Sequence, residues 1–335
     1  EKSANTTIFM LVQKKLIQYT KEAQKEKREG QLTARRVDLM SKGDSQTIQQ
    51  EVGKTQSMSI EKKRSDPAKG IATITLTYGD RAENHPGMQQ IGKLSSEGFS
   101  IKDLEEAKSR FEEKGCKCEI IDLNTALNCT SKTGDKAVVL IVRKAIDFLD
   151  QNLSADKLFE EQIKLEWDAK ALMYGKVVNK HARRNLCYAE ESQEPDYEKG
   201  KGTIVAFKAV PCTSLVREVL GDYLGDKGKN LMCEGNLYYD VSKCGVSFHG
   251  DEERRKVVGV RLGAQIPLHF QWFYNSEPIG ERVKLMLGHG DLYVMSEKAV
   301  GFDSKLRKIT TLRHAAGSEK FLTIKDNKSA TKTKQ

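Results

Sequence analysis

The stretch Asn236-Leu-Tyr-Tyr-Asp-Val-Ser-Lys-Cys-Gly-Val-Ser-Phe-His-Gly-Asp251 carries most of the information about this chain. It ends in a histidine and an aspartate, His249 and Asp251, which follow a run of strand-forming residues and are separated by one glycine. Residues two apart on a strand lie on the same face. An imidazole with a carboxylate is the ligand mixture that holds non-haem Fe(II) and leaves positions open for an oxidant and a co-substrate. The pair therefore predicts a metal site.

Strand patterns continue from this pair to about residue 317. Residues 255–262 are rich in β-branched side chains and residues 269–274 in aromatic ones, as is typical of strands. A last strand at residues 310–313 carries Arg313, and Arg307 precedes it by six residues. Even spacing on a strand predicts both guanidinium groups on one face, where their planar forks would suit a dicarboxylate.

The ordered motifs resemble the AlkB branch of the Fe(II)/2-oxoglutarate oxygenases, in a divergent form similar to proteins of large DNA viruses and of some algae and protists. The resemblance covers about residues 204–317. It implies a double-stranded β-helix, or jelly roll, that uses Fe(II) and 2-oxoglutarate. The matching elements are Asn236 and Tyr238, His249 and Asp251, Leu262-Gly263, Phe270-Gln271, His289-Gly290-Asp291, Arg307 and Arg313, and Ala316-Gly317.

The resemblance also implies roles for single residues. Asn236 and Tyr238 would contact 2-oxoglutarate, with the tyrosine as a hydroxyl donor. Arg307 would meet the distal carboxylate of this co-substrate, and Arg313 the carboxylate nearest the metal. The implied reaction is hydroxylation of an alkylated or methylated base in DNA or RNA. An oxygenase that acts on protein side chains is a further alternative.

One element of the family pattern is missing from its expected place. His249 and Asp251 would be the catalytic metal ligands, and a second metal-binding histidine is expected near Phe302, where the chain has none. Asp303 can bind a metal and is predicted as the third ligand. A displaced histidine is the alternative, although alternation points His314 away from the arginine face unless a bulge re-aims it. The third possibility is a fold without iron that serves as a nucleic-acid- or protein-binding subunit of a larger assembly.

Composition limits the kind of protein. The chain has 335 residues, of which 38% are hydrophobic and 31% charged, and no apolar run approaches the ~20 residues that span a bilayer. Seven cysteines, an odd number, favour a reducing intracellular compartment such as the cytoplasm, the nucleus or a virus-associated one. A net charge of +9 favours an anionic partner, most often nucleic acid.

The predicted fold class is α+β, with five stretches. Residues 1–70 form a basic, largely flexible arm with one helix that could dock on a protein assembly, and residues 71–150 form a small α/β module. Residues 151–200 form a helical or lid connection, which includes a predicted helix at 154–172. Residues 201–318 form the AlkB-like double-stranded β-helix, and residues 319–335 a basic tail.

Two local segments attract functional interpretations. The polar turn at residues 79–88 is either a small ligand site or a solvated loop, and the loop is the simpler interpretation. The basic segment before the barrel, together with one arginine after the His-x-Asp pair, predicts contacts with nucleic acid, including one aromatic platform for a base. The residues so predicted are Lys180, Arg183, Arg184, Tyr188 and Arg254.

Overall fold

The structure is a computed structural model that describes residues 71–324. The predicted arm (residues 1–70) and the last part of the predicted tail (residues 325–335) lie outside the described residues. Within the described part, no helix is long and apolar enough to cross a bilayer. All seven cysteines are free thiols.

The described residues form strands and short helices in an α+β arrangement, which confirms the predicted class. The strands are β1 (Thr73–Gly79), β2 (Arg81–Glu83), β3 (Gln90–Gly92), β4 (Lys117–Asp122), β5 (Val138–Arg143), β6 (Lys170–Met173), β7 (Lys176–Asn179), β8 (Arg184–Ala189), β9 (Ile204–Ala206), β10 (Met232–Tyr238), β11 (Gly245–His249), β12 (Val257–Gly263), β13 (Ile266–Tyr274), β14 (Glu277–Leu287), β15 (Leu292–Met295) and β16 (Thr311–Gly317). The α-helices are α1 (Ile101–Glu113), α2 (Ile146–Leu149), α3 (Ala155–Ile163), α4 (Pro211–Leu224), α5 (Glu297–Val300) and α6 (Glu319–Leu322). Single 3-10 turns lie at Leu123–Leu127, Tyr197–Lys199, Phe207–Ala209 and Gly225–Gly228.

Two sheets organise the chain. The larger has eight strands in the order β4-β5-β15-β12-β1-β10-β8-β9, and the smaller has four in the order β11-β16-β13-β14. The hairpins β2-β3 and β6-β7 stand apart from both. Strand β1 lies between β10 and β12 and is antiparallel to each of them. The segments predicted as a separate α/β module and as the barrel therefore share one sheet, and the boundary expected near residue 150 does not divide two units.

Helix α1 shows why the local predictions succeeded. Ser100 begins the helix with a capping box: its hydroxyl accepts a bond from the Asp103 backbone N–H at 3.1 Å, and the Asp103 carboxylate accepts one from the Ser100 N–H at 2.7 Å. Gly115, with φ of +84°, follows the end of the helix. The predicted helix at 154–172 was too long, because α3 stops at Ile163 and Asp168 turns the chain by bridging to Asn185.

Side chains alternate between the two faces of the large sheet. On β5, Leu140 and Val142 pack against the helices, whereas Val139 and Ile141 face the small sheet. Both faces are buried, which explains why this strand is an unbroken apolar run. The small sheet closes the second core with Trp272, which is 1% exposed and donates its indole N–H to the carbonyl of Leu123.

Towards β10 and β1, the face of the large sheet opposite the helices becomes polar. Thr75, Glu234, Asn236, Tyr238 and Arg261 lie there in place of the valines and isoleucines of β5. A cavity of ≈ 820 Å³ lies against this polar face and is also lined by residues of β11 and β16. The candidate site lies in this cavity.

Candidate metal centre

His249, Asp251 and His314 meet in the cavity. Their potential ligand atoms all lie within 4.8 Å of one another. The Asp251 Oδ1 atom is 3.4 Å from His249 Nε2 and 3.3 Å from His314 Nε2, and the two imidazole centroids are 4.5 Å apart. The displaced histidine considered from the sequence is therefore His314. Two imidazoles and one carboxylate are the donor set of the facial triad, so the residues present fit a non-haem Fe(II).

Strand pairing brings the two histidines together. In the ladder between β11 and β16, Val246 lies opposite Ala316, and a bulge then adds one residue to β11 so that His249 lies opposite His314. Without the extra residue, Phe248 rather than His249 would lie opposite His314. As expected, alternation places Arg313 and His314 on opposite faces of β16. The buried face is the one that carries His314.

The turn after β11 places Asp251. Its backbone N–H donates to the Val300 carbonyl at 3.0 Å. A side chain at Gly250 is impossible here, because a Cβ atom would lie 2.0 Å from the Gly301 carbonyl oxygen. The glycine between the two ligands therefore permits the close approach of the α5 segment that fixes the carboxylate.

The electrostatics favour a cation beside Asp251. Burial opposes protonation of His249, but the Asp251 carboxylate raises the pKa of this imidazole overall. Burial opposes ionisation of Asp251, but His314, Arg254 and His249 together hold the pKa of its carboxyl well below the usual range. Burial lowers the pKa of His314, which favours the neutral imidazole that metals bind. His249 Nδ1 lies 2.8 Å from the Ser247 carbonyl oxygen, which only accepts, so Nδ1 carries a proton, and Nε2 faces the Asp251 carboxylate at 3.4 Å from Oδ1. The His314 Nδ1 atom is buried and has no hydrogen-bond partner among residues 71–324.

Asp303, the predicted third ligand, does not belong to this cluster. Its Oδ2 atom accepts a bond from Lys298 Nζ at 2.7 Å. The neighbouring Phe302 ring lies under the Arg255 guanidinium, 4.2 Å from its centroid, and does not fill the metal position. The lysine beside Asp303 neutralises this carboxylate, and the third member of the cluster is His314.

The predicted arginine clamp was wrong. Strand β16 begins at Thr311, so Arg307 lies before it, exposed to solvent. Arg313 stacks on Phe273, with its guanidinium carbon 4.2 Å from the ring centroid, and donates to the Ser304 carbonyl. The two arginines therefore do not share a strand face, and only Arg313 touches the cavity.

Asn236 and Tyr238 both line the cavity, as the resemblance implies. Asn236 is already engaged: its Oδ1 accepts from Arg183 Nε at 2.6 Å and from Asn185, and its amide donates to Glu234. Tyr238 is 4% exposed and points inward, whereas Tyr239 points outward. The Asn236 side chain therefore mainly links β10 to β8 by hydrogen bonds.

The chain has a relative in a giant virus. It is 46% identical over 251 residues to "Uncharacterized protein R156" of Acanthamoeba polyphaga mimivirus, an alignment that spans 75% of this chain and 97% of the viral protein. The chain belongs to the family of this mimivirus protein. No protein-family model matches it.

Two of the predicted nucleic-acid contacts were wrong. Tyr188 is completely buried, and its hydroxyl bonds to Gln162, so it cannot stack on a base. Arg254 is 3% exposed and is held by carboxylates. Lys180 donates to Asn84 at 2.7 Å, and Arg184 is exposed beside Tyr239. Contacts of Lys180, Arg183 and Arg184 with phosphate stay predictions.

The polar turn that sequence analysis treated as a solvated loop forms part of the cavity wall. Arg81, Glu83, Asn84 and His85 all line it. The concentration of charged and amide side chains in a glycine-flanked turn was the signal for this role. Burial raises the pKa of Glu83 to about 7, and the nearby Glu253 and Glu234 carboxylates add to the effect.

We expect this carboxyl to make stability depend on pH. The folded state holds the Glu83 proton up to about pH 7, whereas the unfolded chain loses it near its ordinary value of 4.5. Stability therefore falls as pH rises between these values, since the folded state binds the extra proton. Glu83→Gln should raise the free energy of unfolding at pH 8 by up to about 3 kcal/mol and change it little at pH 4.5. Urea unfolding at both values tests this, with the exposed Glu281→Gln as the control that should show neither effect.

Proposed function

We propose that this protein is an Fe(II)- and 2-oxoglutarate-dependent oxygenase that hydroxylates an alkylated or methylated base in DNA or RNA. The observation that carries the proposal is the cluster of His249, Asp251 and His314 in one large cavity. The proposal treats the two facing sheets as a double-stranded β-helix in which the N-terminal strand β1 completes the large sheet. The Asn-x-Tyr and His-x-Asp motifs, which resemble those of the AlkB family, support the same assignment.

Each residue of the site would have its own role. His249, Asp251 and His314 would hold the iron. Arg254 keeps Asp251 ionised, and the Ser247 carbonyl fixes the tautomer of His249. Fe(II) held by such a set supplies the chemistry that couples oxidative decarboxylation of a 2-oxo acid to hydroxylation of a C–H bond. The buried walls would exclude bulk water from the reacting groups.

The proposal of a nucleic-acid substrate is supported by charge and by the position of the opening. Exposed residues among the cavity lining, which include Pro86, Gly87 and Lys305, mark where the cavity meets solvent. Arg81 lies in this region, whereas Lys305 is paired with Glu252, so the argument from charge depends mainly on the net charge of +9 of the chain. A basic protein binds phosphates with release of counterions, so affinity for oligonucleotides should fall steeply with salt.

The alternative of a barrel without catalysis lost its main motivation. That alternative was based on the missing histidine near Phe302, and the cluster contains a second histidine, His314, instead. The phenyl ring of Phe302 packs against Arg255. We therefore keep the binding-subunit hypothesis only as an outcome of the test below.

Anaerobic titration with Fe(II) and 2-oxoglutarate tests the proposal. The expected result is a weak metal-to-ligand charge-transfer band in visible absorption that is lost in His249→Ala and retained in Asp303→Asn. A positive result justifies a screen of modified oligonucleotides for 2-oxoglutarate turnover. Wild-type protein that binds oligonucleotides but shows neither the band nor Fe(II) binding would favour the binding-subunit hypothesis.

A further inference from the structure

Arg261 is a buried arginine that has no role in the proposed metal centre. It lies on β12, whose residues Val258, Val260 and Leu262 pack under the helices. Alternation turns Arg261 the other way, into the cavity that holds the His249 cluster. The residue is only 1% exposed.

The charge of Arg261 has no anionic partner in the described part of the chain. Its one side-chain hydrogen bond goes from Nη1 to the Thr75 hydroxyl, at 2.8 Å, and its Nε is buried without a partner. Arg254, the other deeply buried arginine of this cavity, contacts three carboxylates. A buried and unpaired cation is costly, by several kcal/mol after relaxation. The described residues therefore leave the charge of Arg261 available for an anion that they do not supply.

Two tyrosine hydroxyls in the same cavity are also without hydrogen-bond partners among residues 71–324. Tyr238 and Tyr293 are each 4% exposed, and both line the cavity. Burial raises the pKa of Tyr293 to about 12 and also raises that of Tyr238, so both remain protonated donors at neutral pH. Gly259 makes room for the Tyr293 ring, which lies 2.0 Å from where a Cβ atom would be.

We propose that Arg261, with the hydroxyls of Tyr238 and Tyr293, forms a carboxylate subsite that anchors one end of a small dicarboxylate. The planar guanidinium matches a carboxylate, and Thr75 fixes its orientation. Tyr293 and Arg261 line the same cavity as Asp251 and His314, so the subsite and the His249 cluster share one cavity. The inference rests on the proposed function for the other end of the ligand, a 2-oxo acid group directed at the metal. It assigns the anchoring role to β12 rather than to Arg307 and Arg313.

Calorimetric titration of the full chain tests the subsite with three probes. These are 2-oxoglutarate, glutarate, which lacks the oxo group, and pyruvate, which lacks the second carboxylate. In Arg261→Met we expect affinity for 2-oxoglutarate and for glutarate to fall at least about 30-fold, because a buried charge pair is lost. Affinity for pyruvate should not change. Arg307→Gln and Arg313→Gln are the matched controls and should bind all three probes like the wild type.

Thermal unfolding without ligand separates binding from folding. Because Met removes an unpaired buried charge, Arg261→Met should unfold at the same temperature as the wild type or at a higher one. The stabilising shift that glutarate gives the wild type should be absent. Arg261→Lys keeps the positive charge but lacks the planar guanidinium, so it should bind 2-oxoglutarate and glutarate with intermediate affinity. Wild-type affinity for 2-oxoglutarate in Arg261→Met, or its loss in Arg307→Gln or Arg313→Gln instead, would overturn the proposal.

The same titrations in metal-free His249→Ala protein distinguish this inference from the proposed function. If glutarate binding still depends on Arg261 while the wild type binds no metal, the subsite stands and the oxygenase proposal falls. If the wild type binds metal and Arg261→Met binds 2-oxoglutarate with the same affinity as the wild type, the oxygenase proposal stands and the subsite proposal is wrong.

Discussion

His314→Ala is expected to abolish tight binding of a divalent metal while leaving the protein folded. The substitution removes one of the three proposed ligands, and its effect should exceed the roughly 10–100-fold loss that follows from removing a ligand's supporting hydrogen bond, so we expect a loss of at least about 100-fold. Loading with Co(II) and recording the visible ligand-field spectrum measures the affinity. His249→Ala should behave in the same way, since the two imidazoles face each other across one ladder.

Asp303→Asn is the control for this prediction. The resemblance to the AlkB family predicts Asp303 as the third ligand, but its carboxylate is bound to Lys298 and lies outside the cluster. The variant should therefore bind Co(II) with an affinity within a few-fold of the wild type. If Asp303→Asn lost the metal and His314→Ala kept it, the proposed ligand set would be incorrect.

Arg254→Met should cost about 3–5 kcal/mol of folding free energy at pH 8, because it leaves buried carboxylates without a cation. Arg254 Nη2 lies 2.5 Å from Glu234 Oε2 and 2.6 Å from Glu253 Oε1, and its Nε lies 3.5 Å from Asp251 Oδ2. Burial already raises the pKa of Glu253, although Arg254 opposes that rise. Without the arginine this pKa rises further, so protonation should recover part of the loss at pH 5.

Urea unfolding at pH 8 and pH 5 measures both parts of the Arg254 prediction. The adjacent Arg255 offers a matched control, because its side chain is 27% exposed and pairs with Glu297 near the surface. Arg255→Met should cost no more than about 1 kcal/mol, as is usual for such pairs. Equal losses in the two variants, or an Arg254→Met loss that does not shrink at pH 5, would refute the proposed role of the buried network.

Local patterns were sufficient for much of the secondary structure. The alternation in residues 71–78 predicted a strand, and the Ser100 cap predicted helix α1, because both signals depend on neighbours in the sequence. The position of β1 between β10 and β12 was not predictable in this way. Pairing between distant segments depends on which faces bury each other, and the sequence contains no local record of it.

The candidate site shows the same division at the level of single residues. The sequence by itself determined the spacing of His249 and Asp251, the alternation that separates Arg313 from His314, and the excess of positive charge. Only the tertiary structure decided which face of β16 is buried, and therefore that His314 completes the cluster. It also decided that Arg261 faces the cavity without a carboxylate partner. A bulge of one residue in β11 and the insertion of β1 into the large sheet are the physical reasons, because both set contacts between segments far apart in the chain.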